Sequence, residues 1–260
     1  MPLVILHGLL GSSRNWNMAG RALTEKFAVY VLDQRNHGDS PHEDEHTYKS
    51  MVADLKRWME DHGLKKIALM GHSMGGKVGM LFACRYPERV DQLYIADISP
   101  REYHPQYDAY LKAMRAIDLE SLNDRKAAEL QLEAAVESWG MRQFLLTNLV
   151  RDADTGKFRW QVNIPALLRG MSDLTGNPLK PDDRYPGPVL FLKGGNSPFI
   201  EMEDRKLIRY HFPHAHLVVL KDVGHNVHVE ARETFVESVL KARDYFAKQA
   251  ESPESGESQD

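Results

Sequence analysis

The segment LMGHSMGGKVGM places Ser73 at the centre of a Gly71-x-Ser73-x-Gly75 pattern, between an apolar run and a stretch with helical spacing. A serine hydroxyl is a weak nucleophile at its free pKa. The pattern therefore asks for a histidine base and an acid elsewhere in the chain. Alone it says little: with glycine and serine near 7% each, it arises by chance in about one chain in ten of this length. Its context says more. A strand before and a helix after are what a nucleophile elbow requires, a sharp turn that lifts the serine Oγ clear of a sheet, with small Gly71 and Gly75 avoiding side-chain clashes. The same turn leaves the Met74 N–H at the positive end of the helix, where an oxyanion can be held.

A second oxyanion donor comes from HGLLGS at 7–12, whose backbone N–H at Leu9 can reach the same point because Gly8 and Gly11 let that loop approach closely. The base is His225, in LKDVGHNVHVE, on a loop after the last apolar run.

The acid is less plain. FLKGGNSPFI, residues 191–200, is an apolar run opening into a loop, and no carboxylate appears until Glu201. Neutral Asn196 or Ser197 cannot stabilise an imidazolium as a buried carboxylate does; exchanging the aspartate of a serine-protease triad for asparagine costs about 10⁴ in rate. Three carboxylates remain. Asp97 ends the apolar run of YIADISP, 24 residues past Ser73 and on the same strand-end edge, with a turn-forming role as the rival explanation. Glu201 stands at an expected helix start, where capping the dipole is the simpler role. Asp222 is so near His225 in sequence that reaching its Nδ1 would contort the loop. The order of preference is Asp97, Glu201, Asp222.

These side chains must be positioned by strands and helices. Short aliphatic runs at 3–6, 28–33, 67–71, 93–97, 189–194 and 216–220 alternate with helix-period segments. Continuously apolar strands separated by helices predict a doubly wound α/β fold with a mostly parallel sheet covered on both faces. Met51, Leu55, Trp58, Met59 and His62 mark one helical face before a Gly63 stop, and Phe235, Val239, Ala242 and Phe246 mark another. The rhythm breaks between Ile98 and Pro188. There, helical spacing is expected over 104–117, 122–139, 141–150 and 164–171, with a hairpin within 151–162. Sheets of this class bind ligands outside the carboxyl ends of their strands, so an insertion after a strand end would roof the site.

His7-Gly8 with Leu9, DQRNHGDS at 33–40, the elbow at Ser73, a helical insertion and Gly224-His225 occur in order. In these features the chain resembles the α/β-hydrolase superfamily over nearly its whole length. The resemblance implies the α/β-hydrolase fold without its first two strands, since members normally have two strands before the His-Gly loop. It divides the chain into a core at 1–98 and 187–250, a helical cap or lid at 99–186 and a disordered acidic tail at 251–260. Most members carry the acid where this chain reads Gly194 to Ser197. The YbfF-like esterases instead carry it in an Asp-Ile-x-Pro setting and have a similar GGNSP loop; Asp97-Ile98-Ser99-Pro100 and Gly194 to Pro198 match both halves. The implied activity is cleavage of carboxylic esters or thioesters of small to medium acyl groups through an acyl-enzyme on Ser73. Asp97 and His225 would complete the triad, and the Leu9 and Met74 N–H groups the oxyanion hole, with no cofactor. Fold does not fix reaction, so a lyase-type enzyme and a ligand sensor with a vestigial triad remain alternatives.

Composition bounds the rest. At 260 residues, 42% hydrophobic and 27% charged, the chain suits one soluble domain with an insertion. Its net charge of -4 lies wholly in ESPESGESQD, and a neutral body gives no footprint for nucleic acid. No apolar run approaches the roughly 18 residues of a membrane span. One cysteine, Cys84, fits a reducing, cytoplasmic setting and a packed thiol. The expected partner is a small-molecule acyl ester or thioester. His225, His228 and Glu230, and likewise His211, His214 and His216, lack the spacing of a zinc site, and no metal is expected. His7 and His72 read as structural loop residues, His37 to Ser40 as a turn stabiliser, and Trp139, Phe144, Leu145, Phe158 and Trp160 as lid core.

Overall fold

The computed structural model describes residues 1–104 and 107–251. The acidic tail, apart from Glu251, lies outside them. In chain order the elements begin with β1 (Pro2–Leu6), α1 (Asn17–Leu23), β2 (Ala28–Leu32), α2 (Tyr48–Asp61), β3 (Ile67–His72), α3 (Met74–Arg85) and β4 (Val90–Ala96). The intervening segment contains α4 (Tyr107–Ala116), α5 (Arg125–Glu133), α6 (Trp139–Leu146), β5 (Leu149–Arg151), β6 (Phe158–Trp160) and α7 (Ile164–Thr175). The chain then returns through β7 (Val189–Gly194), α8 (Asp204–His211), β8 (Ala215–Leu220), α9 (Val227–Glu230) and α10 (Arg232–Glu251).

Six strands form one sheet in the order β2-β1-β3-β4-β7-β8, every neighbouring pair parallel. Successive side chains of a strand point to opposite faces, so each apolar run is divided between two layers. Val4, Leu69, Ile95 and Phe191 pack with Met51, Leu55, Val78 and Phe212 under α2, α3 and α8. Leu3, Ile5, Met70, Tyr94 and Leu192 pack with Trp16, Leu23, Phe235, Val239 and Phe246 under α1 and α10. The Gly63 stop after α2 has φ +64, a conformation glycine adopts without Cβ strain.

The segment between β4 and β7 has a buried cluster of its own, built by Leu111, Met114, Leu132, Leu145, Leu149 and Leu167 among others. Among its fully buried members, only Leu10 comes from outside this segment. The first three helices here are shorter than their spacing predicts, whereas α7 runs past the expected 171 to Thr175. Asp124 accepts the Ala127 N–H as N-cap at 2.8 Å, so α5 starts at Arg125 and not at residue 122. The helix expected over 141–150 ends at Leu146, and Leu149–Arg151 pairs antiparallel with Phe158–Trp160 instead. Trp139, expected in the core, is 65% exposed, because the first position of α6 precedes the turn that faces the cluster.

Candidate active site

The elbow is built by close backbone approach. Ser73 joins β3 to α3 with φ 51 and ψ -118, a strained conformation for a residue with a Cβ. A Cβ at Gly71 would lie 2.1 Å from the Gly75 carbonyl oxygen, and one at Gly75 would lie 2.4 Å from that of Leu6. Only glycine fits either position. The Ser73 N–H donates to Ala96 O at 3.1 Å, tying the turn to the carboxyl end of β4.

Asp97 follows that same strand end, with φ 50 and its own N–H donating to Leu192 O at 2.8 Å. Its side chain is fully buried, and every hydrogen bond it makes accepts a donor. Oδ1 accepts the Gly194 N–H at 2.9 Å. Oδ2 accepts the Ser197 hydroxyl and, at 2.7 Å, the Nδ1–H of His225. A carboxylate at Nδ1 fixes the tautomer, leaving a lone pair on Nε2. That Nε2 is buried and meets no hydrogen-bond partner among the described residues, and His225 and Ser73 line the same cavity. The two other carboxylates stand apart. Glu201 is exposed, with a carboxylate oxygen 4.0 Å from Arg101. It does not cap α8 as expected either; Asp204, the first residue of that helix, accepts the Glu201 N–H at 2.8 Å. Asp222, at φ 59, contributes no hydrogen bond to His225.

Several residues hold this pair in ways the sequence did not announce. The Glu230 carboxylate accepts the N–H groups of Gly224 at 2.6 Å and Asn226 at 3.0 Å, on both sides of His225. Phe199 stacks on the imidazole, centroids 3.9 Å apart and planes 23° inclined. His72 Nε2–H donates to the His225 carbonyl at 2.9 Å, and burial, with His225 and His228 nearby, lowers the His72 pKa so that it stays neutral. His228 stacks on Trp16 at 4.0 Å, and burial pushes its pKa down to about 3. His225, His228 and Glu230, weighed as metal ligands, thus have other work, and among the described residues no group of three His, Cys, Asp or Glu could hold an ion.

The loop carrying Leu9 is a turn closed by the Gly11 N–H on Gly8 O at 3.0 Å, with Leu10 at φ 61. That conformation disfavours a leucine by roughly 1–2 kcal/mol, and burial in the helical segment's cluster offsets it. The Leu10 N–H donates to His37 Nε2 at 3.1 Å, and its carbonyl accepts Asn148 Nδ2 at 2.9 Å. DQRNHGDS is therefore the loop's brace: Asp33 also accepts the Ser13 N–H at 2.6 Å and the Asp39 N–H at 2.9 Å. The Leu9 N–H meets no acceptor among the described residues, and the Met74 N–H is the first of α3, which a helix leaves unpartnered.

Lys77, one turn beyond Ser73 on α3, is 1% exposed. Its Nζ donates to Gly176 O at 2.6 Å and lies 4.6 Å from the Tyr103 ring centroid. Burial, with Arg101 nearby, pushes its pKa down to about 7.

Comparison with known proteins agrees with this architecture. A family model described as alpha/beta hydrolase fold matches residues 1–231. An sn-1-specific diacylglycerol lipase of Xenopus laevis is 40% identical over 246 residues, 92% of this chain and 78% of the lipase. Esterase YbfF of Escherichia coli is 31% identical over 241 residues, 92% of each chain. The solved structure of a marine microorganism esterase superposes with a TM-score of 0.89 at 36% identity, covering 92% of this chain and 94% of that one. The chain belongs to the α/β-hydrolase fold family, and its likeness is to the esterase and lipase members of it.

Proposed function

We propose that Ser73, His225 and Asp97 form the catalytic triad of this ester-cleaving serine hydrolase, with the Leu9 and Met74 N–H groups as its oxyanion hole. The observation that carries the reading is the 2.7 Å contact of His225 Nδ1 with the buried Asp97 carboxylate, which leaves an unpartnered Nε2 in the cavity that Ser73 lines.

In the first step Ser73 Oγ bonds to the ester carbonyl carbon while His225 Nε2 takes the hydroxyl proton. The carbonyl oxygen gains the charge, which the two N–H groups receive. Asp97, held by Ser197 and Gly194, stabilises the imidazolium without taking its proton. His225 then gives that proton to the leaving oxygen as its bond to carbon breaks. Water repeats the sequence: its oxygen bonds to the acyl carbon, its proton passes through Nε2 to Ser73 Oγ, and the acid departs. Residues 99–186 serve as the cap over this site, on the core formed by 1–98 and 187–250. A single cysteine, with which no internal disulfide can form, supports a reducing, cytoplasmic setting. No described helix is long and apolar enough to cross a membrane.

The test is hydrolysis of p-nitrophenyl butyrate by the wild type, Ser73→Ala, Asp97→Asn and Glu201→Gln, with the acyl-enzyme sought by intact mass. Only Glu201→Gln is expected to keep wild-type rates. An active Asp97→Asn beside a dead Glu201→Gln overturns the acid, and tight ligand-induced stabilisation without turnover would mark a sensor.

A further inference from the structure

Ser73 stands where two cavities meet, and the two share Leu9, Ser73, Tyr107 and Phe199. The first, about 60 Å³, lies between α3 and α7, with Met74, Ile98, Met171 and Leu174 in its wall. The second, about 500 Å³, contains His225 and extends beneath the helical segment to Tyr110, Met141 and Phe144. The asymmetry in size coincides with an asymmetry in chemistry. His225 lines only the large cavity, and Met74, whose N–H faces an oxyanion, lines only the small one.

That asymmetry orients an ester. The proton held on His225 Nε2 must reach the oxygen that departs, so the alcohol portion has to lie on the wall His225 occupies. The carbonyl oxygen must meet the N–H groups of Leu9 and Met74. The remaining substituent of the tetrahedral carbon, the acyl chain, is left to the side where Met74 and not His225 forms the wall.

Resting on the reaction assigned above, we propose that the small cavity is the acyl pocket and the large one the alcohol pocket, so that the enzyme is selective for short acyl groups on large apolar alcohols. The small cavity has roughly an eighth of the volume of the large one, so it takes a short acyl chain and not a long one. Its wall also resists a longer chain chemically. The Lys77 Nζ there is committed to the Gly176 and Thr175 carbonyls at 2.6 and 3.4 Å. Extra methylenes would have to break those bonds or lie against a buried polar amine, with nothing gained in return. In the large cavity Tyr110, Met141 and Phe144 offer an apolar bed of the opposite kind.

Two isomeric esters separate the assignments, because octyl acetate and ethyl octanoate have the same atoms and exchange only which side of the ester is long. For the wild-type full chain, kcat/KM for octyl acetate is expected to exceed that for ethyl octanoate by at least about tenfold, the scale on which a hydrophobic pocket rejects extra methylenes. Met171→Ala is expected to raise kcat/KM for ethyl octanoate relative to that for octyl acetate several-fold. Leu174→Ala, on the same wall, serves if Met171→Ala does not fold. Equal or faster Ser73-dependent cleavage of ethyl octanoate by the wild type overturns the cavity assignment and leaves the reaction standing. So does a ratio that neither wall variant alters. If neither ester nor p-nitrophenyl acetate is cleaved, the reaction itself is wrong and this inference falls with it.

Discussion

The carboxyl edge of the sheet and the helical segment between β4 and β7 both border Ser73, but they are held by different kinds of contact. At the sheet edge the constraints are backbone approaches of 2.1 and 2.4 Å to hypothetical Cβ atoms, and buried charge-assisted bonds around Asp97. Neither tolerates adjustment. The helical segment packs largely on its own apolar cluster and meets the rest of the chain through a few shared apolar residues, Leu10 and Leu174 among them, and through polar links: Asn148 to Leu10 O, Tyr48 OH to Leu174 O at 2.7 Å, Lys77 to Gly176 O. Apolar side chains on helices can be exchanged with modest repacking, whereas a triad misplaced by an ångström loses its function. The difference teaches that, on the reading proposed here, reaction chemistry and substrate choice are separable: the edge would carry the first and the helical segment much of the second.

The strongest way to break this comparison is at Asp97. Asp97→Asn keeps the shape, and asparagine tolerates φ 50, yet it removes the charge and the tautomer control; kcat is expected to fall about 10⁴-fold with little change in melting temperature. A smaller effect is expected from Glu230→Gln, since an amide can accept one of the two N–H groups flanking His225 but turns an NH₂ toward the other. Loss of one charge-assisted bond predicts a fall in kcat of about 10- to 100-fold with KM nearly constant, read by steady-state kinetics. If KM rose and kcat did not, Glu230 would belong with the substrate-binding side of the comparison.

Asn148→Ala tests the link between the two regions. It leaves the Leu10 carbonyl without its donor, so a loss of about 1–3 kcal/mol in denaturant unfolding is expected, with a rate loss of less than about tenfold because His37 still holds the Leu10 N–H. The smallest effect is a pH dependence. His228 has a folded pKa of about 3 against an ordinary 6.5, so between these values the unfolded chain binds a proton that the native one refuses. Stability from this group is complete above pH 6.5 and is lost as pH falls toward 3, at about 1 kcal/mol per pH unit near pH 5. His228→Phe keeps the stack on Trp16 and orphans nothing, since His228 Nδ1 has no partner among the described residues. Its melting temperature between pH 7 and 5 should fall less than that of the wild type.

Much of the sheet edge was legible because its constraints are local. Glycine at 71 and 75, a serine between them and the alternation of apolar runs each have a physical meaning within a few residues. The helical segment was legible as helix but not in its bounds. Asp124 caps one helix and Asn148 bonds the Leu145 carbonyl in the last turn of another through side chains that periodicity does not reveal, and Trp139 looks like core until its helix is seen to begin at that residue. The bracing role of Glu230 was not legible because spacing shows only its nearness to His225 and His228, while its carboxylate turns back on the loop's own N–H groups.

By itself, the sequence determined the fold class and the succession of strands and helices along the chain, and it singled out the serine and histidine proposed here as nucleophile and base, since each is written in residue types at short range. Tertiary structure decided which carboxylate faces His225, because that choice depends on β4, β7 and β8 lying side by side. It also decided the unequal cavities on either side of Ser73, which exist only once α7 lies opposite α3 across the smaller one. Both are consequences of long-range closure, where residues about a hundred positions apart, such as Asp97 and Gly194, come within hydrogen-bonding distance, and no local pattern encodes such a distance.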